Sequence, residues 1–204
     1  TTPMRPEAAA AVAEACASCG NASSVHAWGR GARARIEDAR ESVAALVGAK
    51  PEWVVFTSGG TEANNLALRG SGSRRVVAST VEHPSVLRAR DDIGQLPVDS
   101  AGVVDLDAVP ENTDLVSLML ANNETGVVQP VARAAAIVKD RGGLVHCDAV
   151  QAAGRMPIDV RALGVDLLSL SAHKIGGPQG AGALVVNDGV RLESILRGGG
   201  QERG

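Results

Sequence analysis

The tightest constraint on the fold is a rhythm that begins near residue 53. Short apolar runs at Trp53–Phe56, Val76–Ala78, Leu115–Leu120, Leu144–Cys147, Val165–Leu170 and Ala183–Val186 alternate with helical patterns over 61–69, 84–92 and 130–141. Runs that are apolar throughout, rather than at every second residue, suit strands buried on both faces, and the helices between them supply the cover. The expected architecture is α/β: a three-layer, mostly parallel sheet with helices on both faces. A further short strand is expected near Gln95–Val98. Upstream, an alanine-rich helix is expected over 6–19, stopped by Gly20-Asn21, with a polar loop over 20–27. A longer helix over 29–47 should place Ala32, Ile36, Ala39, Val43 and Leu46 on its inner face, with Gly48 as its stop.

Three aromatics, Trp28, Trp53 and Phe56, leave the core to aliphatic side chains and alanine. A net charge of −3 argues against a nucleic-acid surface. Arg30, Arg33, Arg35 and Arg40 cluster, but Glu37, Asp38 and Glu41 are interleaved with them, which predicts a solvated, ion-paired helix face. No apolar stretch is long enough to span a bilayer and no signal peptide opens the chain, so no membrane partner is expected. Three cysteines do not build a disulfide framework, which favours a reducing, cytoplasmic setting. Cys16 and Cys19 form an isolated C-x-x-C inside a helical pattern and read as two small helix residues, so no metal site is expected. The opening Thr1-Thr2-Pro3 implies that the natural chain starts earlier.

In parallel α/β sheets ligands sit beyond the carboxyl ends of the strands, and five runs end on chemically useful residues. Thr57-Ser58-Gly59-Gly60-Thr61 follows the first, Glu82-His83-Pro84 the second, and Asn122-Asn123-Glu124-Thr125-Gly126 the third. Asp148 and Gln151 follow the fourth, and Ser171, His173 and Lys174 the fifth. Of the 20 basic residues only Lys50, Lys139 and Lys174 are lysines. A lysine at the mouth of an apolar strand can be desolvated enough to act as an amine nucleophile, which arginine cannot do. Schiff-base chemistry at Lys174 follows as the first expectation. The glycine-rich turn at Gly60 and Thr61 opens a helix and offers free N–H groups to a phosphate; this requires the Glu62 carboxylate to turn away. The Thr61 and Ser171 hydroxyls and His173 could add donors. Asp148 could hold a protonated pyridine nitrogen, Gln151 could bond a ring hydroxyl, and Val150 and His83 could cover the two ring faces. His83 also suits proton transfer. Plainer accounts stay open at each position: a surface lysine, an N-cap turn with Thr61 capping, a helix-capping aspartate, a structural histidine.

Taken in order, these stretches resemble the cysteine desulfurases of the class V aminotransferase group, which are fold-type I pyridoxal-phosphate enzymes. The resemblance rests on Gly20-Asn21-Ala22-Ser23-Ser24-Val25-His26, Thr57 to Asn65, Glu82-His83-Pro84, Asn122 to Gln129, His146 to Gln151, Ser171-Ala172-His173-Lys174 and the closing Gly198 to Gly204. It implies pyridoxal 5'-phosphate as cofactor, with Lys174 and His83 as catalytic residues. Asp148, Gln151, Asn123, Gly60, Thr61, Ser171, His173 and Val150 would complete the cofactor site. It further implies L-cysteine as substrate, a homodimer, and a sulfur-acceptor or scaffold protein as partner in iron–sulfur or thio-cofactor assembly. Ala22, Gly60 and Gln179 stand where many members carry proline, alanine and lysine.

Residues 1–20 are expected on the small-domain side and 21–204 to form the cofactor-binding large domain. The family's sulfur-accepting cysteine and its substrate-carboxylate arginine would lie beyond Gly204, so a fragment of this length is expected to bind cofactor with little turnover. Selenocysteine lyase and class V aminotransferase use nearly the same cofactor residues and remain alternatives. A non-catalytic ligand-binding fragment is the alternative of another kind.

Overall fold

The computed structural model describes residues 1–199, so Gly200 to Gly204 of the closing motif lie outside the described residues. Seven strands form one sheet: β1 (Val54–Thr57), β2 (Val76–Ser79), β3 (Gly94–Leu96), β4 (Leu115–Ser117), β5 (Leu144–Asp148), β6 (Leu167–Ser171) and β7 (Gly182–Val186). Their order is β1-β7-β6-β5-β4-β2-β3, parallel from β6 to β3, with β7 antiparallel to both β1 and β6. The helices are α1 (Pro6–Ala17), α2 (Ala27–Leu46), α3 (Gly60–Gly70), α4 (Pro84–Leu87), α5 (Val131–Asp140) and α6 (Val160–Leu163).

Alternation along each strand divides the core in two. Val116, Val145, Cys147, Leu168 and Val185 pack with Ala44 and Val47 from the α2 end and with Ala134 and Val138 of α5. Leu115, Leu167 and Leu184 pack on the other face with Ala63, Ala67 and Leu68 of α3. The mostly parallel, three-layer expectation is therefore met. β1 and β2 stand far apart in the sheet, and α3 crosses between them over β5, β6 and β7. Its amino end consequently lies at the carboxyl ends of the central strands.

Three expectations need correction. On α2, Ala39 is exposed and Leu46 is 40% exposed. Ala32, Ile36 and Val43 are partly buried as expected, with Val43 packed on the core, but the fully buried positions are Gly29, Arg40 and Ala44. Arg40 leaves the solvated cluster because its Nη1 donates to Val54 O at 2.6 Å and its guanidinium lies 5.0 Å from the Phe56 ring centroid. A helix over 84–92 stops at Leu87, where Arg90 is drawn away to Ser73 O (2.5 Å), Arg74 O (3.1 Å) and Asp92 (2.7 Å). The run Leu115–Leu120 is a ladder only to Ser117. Beyond it Leu118 and Leu120 still donate to His146 O (3.0 Å) and Asp148 O (2.9 Å), so the segment stays extended while β2 ends at Ser79.

Candidate active site

The carboxyl ends of β1, β2, β4, β5 and β6 and the amino end of β7 enclose a cleft of about 420 Å³. All ten residues proposed from the sequence line it: Lys174, His83, Asp148, Gln151, Asn123, Gly60, Thr61, Ser171, His173 and Val150. A second cavity of about 470 Å³, at the β1–β7 edge beside Trp53 and Phe56, contains none of them.

Sheet register and side-chain alternation set the acidic end. On β5, Val145 and Cys147 point into one core layer, so His146 and Asp148 turn to the other. Asp148 is 6% exposed; its Oδ1 accepts the Val150 N–H at 3.0 Å and its Oδ2 accepts from Asn64 Nδ2 at 2.8 Å. Burial pushes its carboxyl above the usual range, while the two hydrogen bonds and the charges of His83 and Lys174 pull it back. Each oxygen has bonded only once and retains acceptor capacity toward the cleft. Beneath it, His146 is wholly buried, with Ser117 Oγ 2.8 Å from Nδ1 and Ser169 Oγ 2.9 Å from Nε2. Desolvation takes its pKa to about 3, so this ring is neutral and structural.

The glycine turn closes the other end. α3 starts at Gly60 with Gly59 as a cap that offers no side chain. Gly59 has φ 155°, and a Cβ on Gly182 would come 2.5 Å from Gly59 Cα, so the turn rests directly on β7. Thr61 does not cap; it is an exposed residue of the first turn. Glu62 does not turn away as expected: it lines the cleft, and its Oε2 accepts the Ser58 N–H of the turn at 2.7 Å, so that donor is already taken. Ser171 Oγ lies 2.8 Å from His173 Nδ1, which pairs two donors beside the turn. Burial lowers the His173 pKa, and the Lys174 charge lowers it further. A Cβ at Gly60 would meet Val150 Cγ2 at 2.8 Å, so the glycine there leaves room for Val150.

Lys174 closes the 3-10 turn Ala172–Lys174 after β6 and is half-buried. Its loop is strapped by the N-terminal segment: Thr2 N donates to His173 O (2.9 Å) and Arg5 N to Gly176 O (2.8 Å). Asn122 holds the β4 loop, accepting from Glu124 N (2.8 Å) and Thr125 N (2.9 Å) and donating to Val81 O (3.0 Å), which leaves Asn123 exposed in the cleft. Cys16 and Cys19 are exposed, Cys147 is buried, and none of the three lines the cleft. Among the described residues no group of three or more possible ligands could hold a metal ion. No helix there is long and apolar enough to cross a membrane.

Three neighbours, Asn64, Ser85 and Glu82, were given no role by the sequence reading. Asn64 is 1% exposed and bridges Asp148 to Ser85. Glu82 is 5% exposed; its Oε1 accepts the Met119 N–H at 2.7 Å and its Oε2 is buried without a partner. Their signals were present only in part, as polar residues beside the Thr61 and His83 motifs.

The donor set fits a phosphorylated aldehyde with an aromatic nitrogen: an amine, a buried carboxylate, an imidazole, and free helix N–H groups beside a hydroxyl–imidazole pair. Comparison with known proteins points the same way. The family model for aminotransferase class-V matches residues 1–203. The cysteine desulfurase IscS of Dictyoglomus turgidum is 42% identical over 220 residues, covering 99% of this chain and 56% of that protein. The structure of a NifS-like protein from Rickettsia africae superposes with a TM-score of 0.92 at 35% identity, covering all of this chain and 60% of the other. The structure of SspA in complex with cysteine gives 0.93 at 32% identity, covering all of this chain and 65% of that one. The chain thus spans little more than half the length of the curated relatives it matches.

Proposed function

Because this chain belongs to the class-V aminotransferase family, we propose that it is the cofactor-holding part of a pyridoxal-phosphate-dependent cysteine desulfurase. The observation that carries this reading is the meeting of Lys174, Asp148, His83 and the Gly60 turn in one cleft. The names and extent of the relatives support the desulfurase assignment within the family.

In this reading Lys174 would hold the cofactor through its amine, with L-cysteine as the substrate. The N–H groups opening α3, with Thr61, Ser171 and His173, seat the phosphate. Asp148 would hold the ring nitrogen through a charge-assisted hydrogen bond, and Gln151 and Asn123 would address the ring hydroxyl. Val150 and His83 cover opposite ring faces. Bound there, the cofactor supplies an electron sink for charge developing at the substrate carbon. His83 holds or moves protons at that carbon. None of the three cysteines suits the sulfur-taking role in this reading: Cys16 and Cys19 do not line the cleft, and Cys147 is buried with its thiol pushed well above the ordinary range, chiefly by burial.

Residues 1–20 belong with the small-domain side in this reading and 21–204 with the large domain. The complete protein is a cytoplasmic homodimer that hands sulfur to an acceptor or scaffold protein. The resemblance supports that assembly, and sedimentation of the complete protein tests the dimer. The central assignment is tested by adding pyridoxal phosphate, reducing with borohydride and mapping peptides. A pyridoxyl group on the peptide containing Lys174 is expected. A folded chain that carries none overturns the assignment.

A further inference from the structure

One line of hydrogen bonds joins the two groups placed at the ring nitrogen and the ring face. Asn64 Nδ2 donates to Asp148 Oδ2 at 2.8 Å and to Ser85 Oγ at 2.9 Å. Ser85 Oγ lies 2.7 Å from His83 Nδ1, and the Ser85 backbone N–H donates to that same nitrogen at 3.1 Å. Direction is set at both ends. A backbone N–H can only donate, so Nδ1 presents a lone pair and the proton of the neutral ring sits on Nε2. An amide NH2 can only donate, so Ser85 Oγ accepts from Asn64 and gives its own hydrogen to Nδ1. The residues come from α3, β5 and the start of α4, and Asn64 at the centre is 1% exposed. Its Oδ1 is buried with no partner among the described residues.

We propose that Asn64 and Ser85 are positioning residues that bind Asp148 and His83 into one unit and present His83 to the cleft as a donor through Nε2. The catalytic meaning of this unit rests on the cofactor reading above; the hydrogen-bonded line does not. An imidazole otherwise exposed at a loop is thereby held in one orientation and one tautomer, and a change at Asp148 or Asn64 is felt at His83.

The test is nitrogen NMR of the histidine rings in the cofactor-free protein, at alkaline pH where imidazoles are neutral. The wild type is expected to show Nδ1 unprotonated and hydrogen-bonded, with the proton on Nε2. Ser85→Ala should move the Nδ1 signal downfield through loss of the hydroxyl bond, and Ser85→Thr should restore it. Asn64→Leu should also move Nδ1, but not once Ser85→Ala is present. A protonated Nδ1 in the wild type, or an Nδ1 signal unmoved by Ser85→Ala in a folded protein, overturns the proposal. So does an Asn64→Leu shift that is the same with and without the Ser85 hydroxyl. If Asn64→Leu fails to fold, the Ala and Thr pair at Ser85 decides the matter alone. An intact line without a pyridoxyl adduct on Lys174 would overturn the cofactor reading only; an adduct without the line would overturn this proposal only.

Discussion

Glu82, buried beside the cleft rather than lining it, has inhospitable surroundings for a carboxyl group. Among the described residues it has one donor, Met119 N–H, an oxygen with no partner, and no salt bridge. Burial pushes its pKa well above 4.5, opposed by the Met119 bond and reinforced by the Asp148 charge. Such an acid is kept neutral. The native state then holds a proton that the unfolded chain releases. Its stabilising contribution is full below the unfolded pKa and is lost as pH rises through the raised native value. Glu82→Gln keeps an acceptor for Met119 and cannot ionise. Relative to wild type it should therefore gain stability steadily as pH rises from about 4.5 towards neutrality, read as the difference in Tm. A difference independent of pH would show Glu82 ionised in the fold. His146 carries the opposite sign: with a native pKa near 3 it should cost about 1.4 kcal/mol per pH unit as pH falls below 6.5. His146→Gln should flatten that acid limb while losing the bonds to Ser117 and Ser169. At this scale Lys174, Asp148 and His83 were legible because each directly follows or ends an apolar run. Asn64, Ser85 and Glu82 were not, because their meaning lies in bonds to partners 84, 21 and 37 residues away.

Elements were legible where periodicity was long and failed where tertiary contacts overruled it. α3 and α5 lie within a residue of expectation, whereas the buried stripe of α2 takes in Arg40 and leaves out Ala39, because Arg40 found a carbonyl and a ring to bond. The direction of β7 was unstated, although residues 172–181 leave too little chain for a helical crossover and so demand an antiparallel return. That return brings Gly182 against the Gly59 turn. Gly182→Ala would place a Cβ 2.5 Å from Gly59 Cα and 2.8 Å from Leu170 O, both backbone. A loss of about 1–3 kcal/mol in chemical denaturation is expected, with weaker retention of phosphate compounds. Gly60→Ala meets only the end of a valine side chain, at 2.8 Å, and should cost about 1 kcal/mol or less. Equal costs at the two positions would contradict the close approach of turn and strand.

Across the molecule, burial is uneven in a way that hydrogen exchange can read. α1 contains no buried residue, whereas β4 and β6 are buried throughout and β5 nearly so. Amides of α1 should exchange at least about 100-fold faster than those of β5 and β6, with α2 between them. Comparable protection would mean that α1 is covered by a surface other than those described. The three-layer plan was legible from the sequence because both-face burial leaves continuous apolar runs. Which surfaces meet other parts of a longer protein was not, since an alanine-rich helix such as α1 looks alike whether bare or covered. The contact of Gly182 with Gly59 reaches furthest. A turn propped on a strand is held in its shape by the sheet whether or not a guest is bound. Little disorder is left for an incoming anion to remove, and its affinity should depend on charge and shape far more than on any rearrangement of the host.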